Sequence, residues 1–333
     1  MDPSLYQAVS QLPAGDGRMA QLYRLAVSPG NPQTLEVRVR MGLALVAALL
    51  LASGLIFWVA ANWQEQSRMF KLGLIEGALA LAVLAACLWP RGRMAALFCA
   101  TLVLGGLLAF VGQTYQTGAD AWQLFATWAA LSLVWAGLMR SDMLWALWVL
   151  IAALGIAMWS GRFDPWDVFL ADGHQLHQLL MRTGLWLALA LVPALVSLLR
   201  PVRVAGGMGW WSHRIALAFA LLAWVGMGMV QLFSFMGRGS GVVLALVALL
   251  VAVSLLVSLW GHLQDFVSTC LAALAANVLV LSMVARWLWD GSEMGALLVF
   301  ALVAMACLGG SVRGLMAVQQ RMRAGSASAM EVV

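Results

Sequence analysis

Ten apolar runs, each bounded by charge, proline or glycine, recur at about residues 41–60, 71–89, 94–111, 121–139, 143–159, 183–199, 215–236, 242–260, 266–286 and 294–312. Each is close to the roughly 20 residues that a helix needs to cross a hydrocarbon core of about 30 Å. The pattern predicts an all-α polytopic membrane protein with about ten transmembrane helices. It divides the chain into a cytoplasmic amphipathic segment (1–40), a first five-span unit (41–160), an outer interfacial loop (161–182), a second five-span unit (183–314) and a short flexible cytoplasmic tail (315–333). Two groups of five spans would be related by inversion, since five is odd, but no alignment of the halves supports a repeat.

The first 40 residues carry two short helical patterns, Ser4–Leu12 and Arg18–Val27, separated by PAGDG and followed by SPGNP. The pair is too small to fold alone and is expected on the membrane surface or against the cytoplasmic helix ends, with a partner-binding hairpin as the sharper alternative. The first span begins too late for a secretory signal and reads as a retained anchor.

Lys and Arg are unevenly shared between alternate loops. With the N-terminus in the cytoplasm, that side holds Arg18, Arg24, Arg38, Arg40, Arg91, Arg93, Arg140, Arg200, Arg203, Arg214, Arg313, Arg321 and Arg323. The other side holds only Arg68, Lys71, Arg162, Arg182, Arg238 and Arg286. The split predicts an inner (cytoplasmic) membrane protein with both termini in the cytoplasm. The net charge of +5 follows from the same bias; its counter-charge is an anionic lipid surface, not nucleic acid. Hydrophobic residues make up 63% and charged residues 10% of the chain. That balance leaves no room for a large soluble catalytic domain. The 17 Trp lie mostly near span ends, including Trp58, Trp63, Trp122, Trp159, Trp166, Trp287 and Trp289 on the outer side and Trp89, Trp145, Trp210, Trp211 and Trp260 on the inner, as in an aromatic belt.

Cys87, Cys99, Cys270 and Cys307 sit inside apolar runs without CxxC spacing and read as packing residues. Asp172, His174 and His177 form a DxHxxH spacing in the long outer loop, a weak metal candidate against the blander reading of an interfacial helix. No cofactor is implied.

The chief polar signal lies in NWQEQSR (Asn62–Arg68), in Glu76 within the second span, and in GQTYQTGAD (Gly112–Asp120). An ionisable residue inside a span points to function, because burying its charge is costly. Gly73, Glu76, Gly77 and Ala80 share one helix face, as do Gly105, Gly106, Ala109 and Gln113 on the next span. Small residues permit close approach, so these faces are expected to meet across the short PRGR connection. The expected site is an outward-facing polar pocket built from Glu76, Gln113, Asn62, Trp63, Gln64, Tyr115, Gln116 and Asp120. The competing reading makes Glu76 a neutral or Lys71-paired packing residue and the amides helix caps. Gln231 with Ser234, Asn277 and Arg286 are lesser candidates, Asn277 chiefly as an interhelical hydrogen bond, and Pro193 is expected to kink its span.

The sequence contains no GxxxxGK, HExxH or GxSxG motif, which removes most of the weight from ATP-driven, zinc-protease and serine-hydrolase readings. AANWQEQSRMFKLG (Ala60–Gly73), FVGQTYQTGADAWQLFATWA (Phe110–Ala129) and the Arg140-Ser-Asp turn resemble the bacterial membrane family called domain of unknown function 2157, over about residues 41–159. The resemblance implies a polytopic membrane protein without assigned catalytic residues. It also implies possible partners, a neighbouring multi-span membrane protein and a small outer-side protein named for a GDYxxLxY motif. Three functions follow. The first is binding or transport of a small polar or lipid-headgroup ligand through the outer pocket. The second is an envelope scaffold holding an outer-side partner, and the last is a lipid-modifying enzyme.

Overall fold

A computed structural model of the chain describes residues 32–115, 118–139, 141–161, 176–198, 209–233, 241–259, 265–288 and 294–331. These residues are helical apart from short turns. In order the helices are α1 (Pro32–Ala61), α2 (Arg68–Leu88), α3 (Arg93–Tyr115), α4 (Ala121–Leu138), α5 (Asp142–Ser160), α6 (Leu176–Leu198), α7 (Trp210–Phe233), α8 (Gly241–Leu259), α9 (Phe266–Leu288) and α10 (Met294–Glu331). Each falls on one of the apolar runs, and the protein is a multi-span helical membrane protein.

Among the described residues, eight helices are long and apolar enough to cross a membrane. The exceptions are α4 and α6. In α4, Trp122, Gln123, Thr127, Trp128, Ser132 and Trp135 dilute the apolar character over only 18 residues. In α6 the apolar stretch, Leu176–Val192, is shorter. Three boundaries differ most from the sequence pattern. Helix α1 begins at Pro32, inside the expected polar segment, α6 begins at Leu176, inside the expected outer loop, and α10 continues to Glu331 through residues expected to form a flexible tail. The paired patterns at Ser4–Leu12 and Arg18–Val27 lie outside the described residues.

The chain forms two compact units, Met1–Phe110 and Val111–Val333. In the first, Ala52 and Val59 of α1, Ile75 of α2, and Val103 and Phe110 of α3 make one buried cluster. In the second, α7 is the central helix, packing against α5, α6, α8 and α9. Its Ala216, Ala220 and Trp224 are almost wholly buried, and small residues there let neighbouring helices approach closely. The Trp224 indole donates to the Thr183 carbonyl of α6 at 3.4 Å. Helix α10 is fastened to α9 by a reciprocal pair in which Asn277 Nδ2 donates to Ser311 Oγ at 2.8 Å and Ser311 Oγ donates to Asn277 Oδ1 at 3.1 Å. Asn277 is thus the interhelical contact its mid-span position suggests.

Trp58, Trp89, Trp210, Trp211 and Trp287 are exposed near helix ends, as belt residues should be. Trp145 is an exception: it is buried, packed edge-on against Trp148 at 5.6 Å. All four cysteines are free thiols.

Candidate functional site

The turn between α1 and α2 is held by its own side chains. Asn62 Nδ2 donates to the Trp58 carbonyl at 2.8 Å, closing the end of α1. Ser67 caps α2, its Oγ accepting from the Phe70 amide at 3.2 Å. Lys71, in the first turn of α2, is only 3% exposed. Its ammonium donates to the Trp63 carbonyl and lies 4.5 Å from the centroid of the Trp63 ring, a cation–π arrangement. Trp63 in turn meets Phe110 edge-on at 5.6 Å. The buried cation is therefore bound to the turn that precedes it, and the NWQEQS segment is a locked corner. Gln64 is exposed beside it.

Glu76 is not the partner of Lys71. Five residues at about 100° each place the two side chains roughly 140° apart around the helix. Lys71 and Ile75 point into the first unit, whereas Gly73, Glu76, Gly77 and Ala80 form an exposed face. A Cβ added at Gly73 or at Gly77 would meet nothing within 4 Å. Glu76 lies two residues, roughly 3 Å, from the midpoint of the 21-residue helix. A carboxylate thus stands on an open, small-residue face at the centre of an apolar span.

The expectation that the small faces of α2 and α3 meet is overturned. Gly106 of α3 packs on α1, since a Cβ there would come within 2.9 Å of the Ile56 side chain. The reason is that Ile75, with Leu72 and Leu79 beside it, supplies more apolar contact to the core than a glycine face can. Asn62, Trp63, Gln64 and Glu76 belong to the first unit, and Gln113, Tyr115 and Asp120 to the second. The last three are exposed, and Asp120 accepts from the Trp122 indole at 3.1 Å. Gln116 lies outside the described residues, as do Asp172 and His174; His177 is exposed at the start of α6. Among the described residues no three His, Cys, Asp or Glu side chains are grouped to hold a metal.

Two carboxylates to which the sequence reading gave no role, the half-buried Asp142 and the buried Asp265, are held in polar contacts in the second unit. Asp142, the first residue of α5, reaches across to the start of α7. Its Oδ1 accepts from the Gly209 amide (2.9 Å), the Ser212 amide (3.0 Å) and Ser212 Oγ (2.7 Å), and its Oδ2 from the Trp211 amide (2.9 Å). One anion therefore satisfies orphan amides of α7 while standing in the first turn of α5, favourable to both helix dipoles. Gly209 is required for the approach, because a Cβ there would lie 2.6 Å from the Asp142 carboxyl carbon.

Asp265 precedes α9 and caps it through the Ser268 amide (2.9 Å) and Ser268 Oγ (2.8 Å). It also takes both arms of Arg214, from Nε at 2.9 Å and Nη2 at 2.6 Å. Burial raises the carboxyl's proton affinity, but the Arg214 and Ser268 hydrogen bonds and the Arg214 charge outweigh it, bringing the pKa from 3.8 to about 2. The N-cap position of Asp265 before an apolar run was a readable signal. Asp142 entered the sequence reading only as part of the Arg140-Ser-Asp turn, and its role carried no local signal, since its partners lie some 70 residues away.

Residues 13–145 match the profile of a family described as "Predicted membrane protein", domain of unknown function 2157. The match is less than half of the chain; it takes in the locked corner, Glu76 and Asp142, and excludes Arg214 and Asp265. No curated protein and no solved structure matches the chain.

Proposed function

We propose that this chain is a non-enzymatic membrane scaffold that docks another transmembrane helix on the Gly73, Glu76, Gly77 and Ala80 face of α2. The observation that carries the reading is Glu76 itself, exposed near the middle of an apolar span. A carboxylate facing lipid at that depth costs several kcal/mol unless it is paired or wet. Gly73 and Gly77 make a GxxxG pair, the spacing that lets two helix backbones approach closely. The arriving helix brings a hydrogen-bond donor or a cation at the same depth. Another multi-span membrane protein, the kind of neighbour that the family resemblance implies, is the partner of choice.

The outward-facing pocket for a small polar or lipid-headgroup ligand is the second reading. Its residues divide between the two units, Gln64 exposed in the first and Gln113, Tyr115 and Asp120 exposed in the second. The capping roles of Asn62 and Ser67 weigh toward the scaffold, because those groups are already used by the chain. Both readings place the chain in the bacterial inner membrane with its termini in the cytoplasm, supported by the Lys and Arg split. Topology reporters fused after Gly118 and Val333 test that orientation, and an outer-side signal at the C-terminus refutes it.

A photoreactive residue placed at position 80 in native membranes tests the scaffold. The expected product is a discrete cross-linked polypeptide that disappears in Gly77→Leu. Adducts to lipid alone overturn it. Protection of a cysteine at position 76 from an outer-side, membrane-impermeant thiol reagent separates helix docking from the open pocket, where that cysteine reacts freely.

A further inference from the structure

The second unit contains a cavity of about 560 Å³ between α4, α5 and α6. Its floor is made of small residues, Ala129, Ala152 and Gly155, and one wall is Gly184 with Leu185. Trp122 of the first turn of α4 and Trp159 of the last turn of α5 stand at one end. The floor has no unmet polar demand at its carbonyl step, since the Ala129 carbonyl accepts from the Trp148 indole at 2.9 Å. Gly155 allows α5 to lie against α4, with a Cβ there 3.3 Å from that of Phe125. The two helices are thereby drawn together, and the room left is on the α6 side.

We infer that this groove holds one acyl chain of a membrane phospholipid, threaded along α4 and α5 with its headgroup end at Trp122 and Trp159. Size selects the occupant. The lining runs from residue 122 to 129 on α4 and from 152 to 159 on α5. Seven residues of rise make a groove about 10 Å long. At about 560 Å³ the cavity lies within the roughly 300 to 1,000 Å³ of small-ligand sites. A polymethylene chain, one carbon wide, fits between walls that offer almost no polar group. The surrounding solvent is hydrocarbon, so retention comes from dispersion against a fixed, concave wall, not from escape from water. Tryptophans at the mouth are the side chains that favour the headgroup boundary. This inference rests on the second unit alone and stands whether or not the α2 face docks a helix.

The test uses the full chain in vesicles of phosphatidylethanolamine and phosphatidylglycerol doped with a phospholipid whose acyl chain carries a diazirine. After photolysis, labelled positions are mapped by peptide mass spectrometry. Met181, Leu185 and Ala152 should label severalfold more than the lipid-exposed Leu222 and Leu256. Gly184→Phe should lower groove labelling severalfold without lowering the melting temperature, because the Gly184 Cβ position meets nothing within 4 Å. Ala152→Phe fills the floor as a second variant, with the same loss expected. Equal labelling of Leu185 and Leu222, or full groove labelling in both Phe variants, would mean annular lipid only and overturn the inference.

Discussion

Asp142 and Asp265 in the second unit and Glu76 in the first are all carboxylates in or beside apolar helices, yet their surroundings are opposite. Asp142 takes four donor contacts and Asp265 takes two from Ser268 and two from Arg214, all from the same chain. Glu76 stands on an open face. A carboxylate whose lone pairs are used by helix ends is serving the fold, since helix amides must be met when water is excluded. One placed at mid-span on an open face, with no such donor among the described residues, is a cost to the isolated chain. The three acids therefore differ in kind: Asp142 and Asp265 are met by donors of their own chain, whereas no donor among the described residues meets Glu76.

The largest effect should come from breaking the Arg214–Asp265 pair. Arg214→Met leaves a mostly buried carboxylate without its counter-charge, and loss of one partner of a buried pair costs about 3–5 kcal/mol. Thermal unfolding in detergent should show it as a large drop in melting temperature, with Arg214→Lys intermediate because a point charge cannot repeat the two-armed contact. The pH dependence has a definite sign. The folded state holds the Asp265 carboxyl at about 2 against an ordinary 3.8, so its contribution is complete above about pH 4 and is lost as pH falls toward 2. The wild type should lose stability over that window relative to Asp265→Asn, and parallel curves would refute the assignment.

Asp142→Ala should rank next, at about 2 kcal/mol, since it strips a charged acceptor from the first turn of α7 while water at the helix end recovers part of the loss. Gly209→Ala should approach it in effect by forcing the Asp142 carboxylate away. If Gly209→Ala is neutral, the cross-helix cap does not hold α7. The Asn277–Ser311 pair is smaller still. Interhelical hydrogen bonds in membranes average about 0.6 kcal/mol, so Asn277→Ala should lower the melting temperature only slightly. A double-mutant cycle with Ser311→Ala measures the coupling directly.

All ten helices were legible in the sequence, because an apolar run of the right length has one outcome in a bilayer. The signal is weakest in α4, where Trp, Gln, Thr and Ser dilute the apolar run. Glu76 stood out from the cost of its burial, whereas Asp265 was missed although its N-cap position before an apolar run was a usable signal. Asp142 gave no such signal, because its contacts with Gly209 and Ser212 depend on how α5 and α7 pack. The small-residue stripes misled for a related reason. Gly73 and Gly106 each license close approach, but nothing local says to which helix; α3 used Gly106 against Ile56 of α1, and α2 spent Ile75 on the core.

The smallest expected effect on stability is the most discriminating. Replacing Asp142 or Asp265 by an apolar residue should unfold the chain more readily, whereas Glu76→Leu should leave the purified protein's melting temperature unchanged or slightly higher. Glu76 makes no contact that the core needs: its neighbours Gly73, Gly77 and Ala80 are open, and Lys71 is committed to Trp63. Leucine on that face removes the cost of a carboxylate in hydrocarbon and adds nothing that clashes within the chain. The same substitution should abolish the position-80 cross-link in membranes, because the arriving helix would lose its polar contact and meet a branched side chain between the two glycines. A Glu76→Leu protein that is markedly destabilised in detergent would place Glu76 with Asp142 and Asp265 as a structural acid, and the distinction between the two units would fail at its centre.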